Sequence, residues 1–122
     1  MRSANTVVVK VKSLYVIRYA AVRAKEAAAT FGGLTLESRQ KVNRALDAII
    51  KELYQFRTLF DNETIEFYVY KVRELRTLVV AASACVQSAR RMTGAERKQL
   101  LGPLAGARKE LDNYLQTSLF VA

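Results

Sequence analysis

The chain contains no histidine. Without an imidazole, neither a Ser-His-Asp nor a Cys-His catalytic arrangement can form, and a zinc site made of histidine and cysteine is excluded by the same count. Several carboxylates lie close enough in sequence to hold a cation, but their positions fit solvated surface acids and helix N-terminal partners better; they are Asp61, Glu63, Glu66 and Glu74. The sequence therefore predicts a protein that is not an enzyme and that uses no metal and no cofactor.

Cysteine and long apolar runs are scarce as well. The single cysteine, Cys85, cannot form an internal disulfide, so the composition favours a cytoplasmic protein. Lys10 and Lys12 interrupt the first apolar segment before it could serve as the apolar region of a signal peptide. No apolar run approaches the ~18 residues of a membrane span. We therefore expect a soluble protein that does not associate with membranes.

Positive charge, by contrast, is in excess. The 122 residues include 20 Lys+Arg and 11 Asp+Glu, which gives a net charge of +9. Arginine outnumbers lysine 12 to 8, and the planar guanidinium group matches phosphate geometry better than an ammonium group does. A charge of this size indicates attraction to a polyanion such as nucleic acid or an acidic protein.

Apolar residues recur every three to four positions through most of the chain, which predicts an all-α fold. Four such segments joined by short connections predict an up-down-up-down antiparallel four-helix bundle in a single domain of residues 1–122. The predicted helices cover residues 6–31, 35–60, 63–91 and 94–117. Because Val7, Val8 and Val9 are β-branched, the first turn of the first helix could instead be extended.

Local signals mark the helix ends. The pair Gly32–Gly33 is expected to end the first helix, since glycine accepts the positive φ of a C-terminal cap. Thr35 is the predicted N-cap of the second helix. Thr93 and Glu96 have the spacing of a capping box at the start of the fourth. Pro103 falls inside that helix and predicts a kink or a restart there.

Two groups of cations are candidate nucleic-acid contacts. The first, which we call the junction cluster, lies between the third and fourth predicted helices and consists of Arg90, Arg91, Arg97 and Lys98. The second lies on the first helix and consists of Lys12, Arg18 and Arg23. No motif that reads base sequence accompanies them, so we expect contacts mainly to phosphate, with affinity that falls steeply as salt rises.

A third set of residues is a candidate interface between copies of the chain. Helical geometry places tyrosines on the outward side of the first helix and apolar side chains on a second face of the third, where a four-helix bundle leaves them uncovered. These residues are Tyr15, Tyr19, Phe67, Tyr70, Leu78 and Val80. The same faces are consistent with an alternative function, a structural or adaptor protein that self-assembles or docks on an acidic protein. The tyrosines could also stack on bases beside phosphate-binding cations.

Three stretches of the chain resemble one protein family. Val42–Ile50 is similar to its second-helix core, Val72–Leu78 resembles a segment of its third helix, and the Met92–Thr93 break before a helix that ends in Leu111–Leu115 resembles its last turn and helix. The family is the accessory variability determinant of diversity-generating retroelements, together with the four-helix proteins encoded in 23S rRNA intervening sequences. The resemblance implies a basic, pentameric homo-oligomeric ring that binds nucleic acid and a reverse transcriptase and has no catalytic residue. The small helical subunits of CRISPR effector complexes also fit the size, charge and helicity.

Overall fold

The computed structural model describes the backbone of residues 5–121 and the side chains of residues 5–116. In this part of the chain, four helices and two short strands follow one another in the order β1 (Thr6–Lys10), α1 (Val11–Thr30), α2 (Leu36–Tyr54), β2 (Thr64–Tyr68), α3 (Val69–Gln87) and α4 (Gly94–Val121). The protein is thus mostly helical, as the apolar spacing predicts. The two strands are a departure from the expected all-α class.

The two strands form an antiparallel ladder in which Val7 pairs with Phe67 and Val9 pairs with Ile65. Val7, Val9 and Phe67 are buried, whereas Val8 between them is exposed. This period of two is typical of a strand that is covered on one face only. The prediction that helices begin at residues 6 and 63 is therefore wrong, and the extended alternative for the first segment is confirmed.

The ladder continues beyond both strands into the first residues of the helices. The amide of Val69 donates to the carbonyl oxygen of Asn5 at 2.7 Å, and the amide of Val11 donates to that of Glu63 at 3.0 Å. The first N–H groups of a helix have no partner within the helix itself. The sheet supplies one for α1 and one for α3, which fixes where both helices start.

The second and third helices are also shorter than predicted. After α2 ends at Tyr54, the amides of Phe56 and Arg57 bond three residues back, and the chain leaves the helix in turns. Phe60, the last residue of the predicted second helix, therefore lies outside α2 and is 74% exposed. Phe56 still reaches the core, where its ring meets the edge of Phe67 with centroids 5.7 Å apart.

The apolar stripes predicted for the helix interiors are confirmed. Helices α1 and α3 each pack against both α2 and α4. Fully buried side chains come from all four helices and include Ile17, Leu46, Leu75 and Leu104. Burial of each such side chain stabilises the fold by roughly 1.5–3 kcal/mol, so this shared core dominates the packing energy.

The predicted N-terminal caps of α2 and α4 are present. The Thr35 side chain accepts from the amide of Ser38 at 3.1 Å. Thr93 and Glu96 form the reciprocal capping box, with their two hydrogen bonds at 3.1 and 3.2 Å. The restart expected at Pro103 is absent, because α4 runs through the proline as one helix.

Gly33 has a different role from the one its sequence position suggests. No glycine among the described residues has a positive φ. Instead, a Cβ at Gly33 would lie 2.8 Å from the Cα atom of Met92. The chain needs glycine here because the α1–α2 and α3–α4 connections touch main chain to main chain.

Tyr114 joins α4 to the sheet end of the molecule. Its hydroxyl is 2.8 Å from the hydroxyl of buried Ser13 and accepts from the amide of Lys10 at 3.2 Å. Replacing Tyr114 by phenylalanine keeps the ring but removes both hydrogen bonds. We expect the free energy of unfolding to fall by about 1 kcal/mol, measured by urea denaturation. An unchanged midpoint would show that water replaces the hydroxyl without loss.

Candidate nucleic-acid interface

The junction cluster is divided by the structure. Arg97 is half-buried, and its guanidinium donates to the carbonyl oxygens of Gln87, Ala89 and Met92. Gln87 is the last residue of α3, and Ala89 and Met92 follow it in the α3–α4 connection. The side chain therefore ties this connection to the first turn of α4. Arg97 is therefore occupied within the chain, contrary to its expected role as a free phosphate contact.

The other three cations of the junction cluster, Arg90, Arg91 and Lys98, are exposed. Arg90 and Arg91 line a cleft of about 480 Å³ between the α1–α2 and α3–α4 connections, which we call the connection cleft. Its opposite wall includes Thr35 and Ser38 at the N-terminus of α2. The partial positive charge of a helix N-terminus adds to that of the arginines. The cleft therefore favours an anion.

The first helix carries a second concave surface. A groove of about 590 Å³, which we call the α1 groove, is lined by Lys12, Tyr15, Val16, Arg18, Tyr19, Val22 and Asp61. Tyr15 is half-buried, and its hydroxyl donates a hydrogen bond shared between the carbonyl oxygens of Phe56 and Leu59. That bond ties the loop after α2 to α1, and Asp61 of the same loop lines the groove.

Arginine and tyrosine side chains contact one another beside this groove. The guanidinium carbons of Arg57 and Arg18 lie 4.0 and 5.4 Å from the ring centroid of Tyr54, and that of Arg23 lies 5.9 Å from the centroid of Tyr19. These are cation–π distances, which restrain the long side chains without neutralising them. The sequence pattern does not single out Tyr54 and Arg57, because only the packing of α2 on α1 brings them to Arg18.

Over residues 5–116, ion pairing leaves the candidate cations available, as it also leaves other exposed cations such as Arg44, Lys51 and Lys109. The five ion pairs among the described residues engage Lys25, Lys41, Lys71, Arg76 and Arg108. The hydrogen bond from Lys71 to the Glu52 carboxylate raises the pKa of that ammonium above its ordinary value, so this lysine stays charged and paired. Within the described part of the chain, no carboxylate pairs with the candidates Lys12, Arg18, Arg23, Arg90, Arg91 and Lys98.

The residues predicted for an oligomer interface lie in different environments. Phe67 is only 4% exposed and packs in the core, so its assignment to an outer face is wrong; a strand, not a helix, sets its direction. Tyr15 is half-buried and hydrogen-bonded within the chain. Leu78 and Val80 are half-buried, and Leu78 packs against the core.

Tyr19 and Tyr70 remain on the surface, 64% and 59% exposed. Tyr70 stands beside Tyr68, with ring centroids 5.5 Å apart. This tyrosine pair marks the junction of β2 and α3 as a second exposed aromatic patch, separate in sequence from the α1 groove.

The described residues contain no group of three or more Asp, Glu, His and Cys side chains placed to hold a metal ion. The carboxylate of Glu63 accepts from the backbone amide of Phe60 at 2.5 Å. Among the described helices, none is both long enough and apolar enough to cross a membrane.

The elements and their surfaces define a class in structural terms: a small basic four-helix protein with a two-stranded sheet and two cation-lined concave surfaces. No protein-family model, curated protein sequence or solved structure gives a significant match to the chain.

Proposed function

We propose that this protein is a non-enzymatic accessory protein that binds nucleic acid through arginine and lysine contacts to phosphate. The observation that carries the proposal is where unpaired cations lie. Lys12 and Arg18 line the α1 groove, and Arg90 and Arg91 line the connection cleft. None of the four pairs with a carboxylate among the described residues. Unpaired cations clustered in this way attract a polyanion.

The proposal takes the helices as an up-down-up-down bundle, which the packing of α1 and α3 against both α2 and α4 supports. It places the protein in the cytoplasm, as a homo-oligomer and a partner of a reverse transcriptase or another ribonucleoprotein enzyme. Its resemblance to the accessory variability determinants and the 23S rRNA intervening-sequence proteins supports this context. The exposed Tyr68–Tyr70 patch is a surface that self-association could cover.

Fluorescence anisotropy with labelled RNA and DNA oligonucleotides, over a series of salt concentrations, tests the proposal. We expect submicromolar binding at low salt. Replacing Arg90, Arg91 and Lys98 by glutamate should reduce the magnitude of the negative slope of log K against log salt by about 2 to 3. Each lost phosphate contact removes about 0.7–0.9 from that magnitude. Arg97 is left intact because it holds the α3–α4 connection.

A matched control variant reverses Arg44, Lys51 and Lys109, which are exposed and lie outside both concave surfaces. Both triple variants change the net charge from +9 by 6 units to +3. If binding occurs at the junction cluster, only the variant of Arg90, Arg91 and Lys98 should show the smaller salt dependence. Equal losses would assign the binding to net charge, and absence of binding at low salt would overturn the proposal.

The second candidate function is an adaptor that docks on an acidic protein. The observation that favours it is the mixture of apolar and cationic side chains on α1, where Val16 is 42% and Tyr19 64% exposed. Protein interfaces are enriched in tyrosine and arginine. Affinity capture that recovers an acidic protein, from lysate treated with nuclease, would favour this function over the first.

A further inference from the structure

The α1 groove combines an exposed ring with unpaired cations. Tyr19 is 64% exposed and lines the groove together with Lys12 and Arg18. Arg23 approaches the ring of Tyr19 at 5.9 Å. A ring this exposed contributes little to the core, whereas it offers a flat surface for another π system, flanked by positive charge.

Arg18 is held in place beside the groove without an acidic partner in the described part of the chain. Its guanidinium carbon lies 5.4 Å from the ring centroid of Tyr54, and no carboxylate pairs with it among the described residues. The terminal nitrogens of such a guanidinium group favour an oxygen anion, because charge-assisted hydrogen bonds to phosphate or carboxylate are stronger than neutral ones. Arg57, stacked on the same tyrosine at 4.0 Å, adds a second positive charge.

We propose that the α1 groove binds a single strand of nucleic acid, with a base stacked on Tyr19 and phosphates held by Lys12, Arg18 and Arg23. The inference rests on the proposed function and specifies its ligand. A duplex hides the faces of its bases within its own stack, so only an unpaired strand can offer one to the ring. The Asp61 carboxylate in the lining disfavours a phosphate beside it and can accept a hydrogen bond from a base amino group.

Three probes separate stacking from charge: a labelled dT oligonucleotide of about 12 nucleotides, an abasic strand with the same number of phosphates, and a duplex of the same length. The wild-type protein should bind dT roughly 5- to 100-fold more tightly than the abasic strand, since stacking contributes about a decade in affinity per base. Tyr19→Ala should remove this difference, and Tyr19→Phe should retain it. Circular dichroism and thermal melting confirm that both variants fold.

Tyr54 is a positioning residue, and it has a different signature. Tyr54→Ala should weaken dT and abasic strands by the same factor, because it releases Arg18 and Arg57 and leaves Tyr19 in place. Equal affinity for dT and abasic strands, or a difference that survives Tyr19→Ala, would overturn the inference while the proposed function stands. Displacement of dT by polyglutamate at equal charge would assign the groove to an acidic protein. Failure of all three nucleic acids to bind at low salt would overturn both.

Discussion

Replacing Gly33 by valine is expected to lower the free energy of unfolding by about 3 kcal/mol. A Cβ at this position would lie 2.8 Å from the Cα atom and 3.0 Å from the amide nitrogen of Met92, closer than carbon and main-chain atoms approach. The obstacle is main chain, so one of the two connections must move. Overpacking of this kind typically destabilises by 1–3 kcal/mol, and valine adds two further methyl groups. Urea denaturation followed by circular dichroism measures the change.

Gly32 provides the matched control, because a Cβ there meets no atom within 4 Å. Gly32→Val alters the same connection and the same residue type without the clash. We expect its stability to lie within about 0.5 kcal/mol of the wild type. If both variants lost the same stability, backbone flexibility and not the contact with Met92 would be the reason for the glycines.

The second large effect is expected at Arg97. Arg97→Met keeps the apolar stem but removes the guanidinium that caps Gln87, Ala89 and Met92. Hydrogen bonds to charged groups contribute about 1.5–3 kcal/mol each when they are well shielded, and these are partly exposed. We expect a total loss of about 2–3 kcal/mol in the free energy of unfolding.

Lys98→Met is the control for Arg97, since it removes one neighbouring cation that is exposed and has no ion-pair partner among the described residues. Its stability should stay within about 0.5 kcal/mol of the wild type, while nucleic-acid affinity falls. Arg97→Met should show the opposite pattern when it is assayed at a temperature where it is folded. Loss of affinity without loss of stability in Arg97→Met would return this arginine to the binding site.

These two contacts meet at one end of the molecule. Gly33 allows the α1–α2 connection to touch Met92, and Arg97 holds the end of α3 against the start of α4. In the chain, Arg90 and Arg91 lie between Ala89 and Met92, and both line the connection cleft. The connection cleft and the two structural contacts therefore share the same connections, although neither arginine makes either contact.

The sequence by itself determined the features that depend on neighbours a few residues away. Helical periodicity located the interiors of the four helices and their buried stripes, because residues three and four apart share a helix face. The caps at Thr35 and at Thr93 with Glu96 are local hydrogen bonds over three residues, so their spacing was sufficient.

The tertiary structure decided what depends on partners distant in the chain. The strands at Thr6–Lys10 and Thr64–Tyr68 satisfy their backbone hydrogen bonds only by pairing with each other, and that pairing turned Phe67 into the core. From the sequence, Arg97 is indistinguishable from a binding residue. The fold places the carbonyl oxygen of Ala89, in the connection after α3, within hydrogen-bond distance of it. Tyr54 reaches Arg18 because α2 packs on α1. The sequence determines the chemistry of each side chain. Whether a cation is free or already hydrogen-bonded within the chain depends on which groups the fold brings within about 3 Å of it.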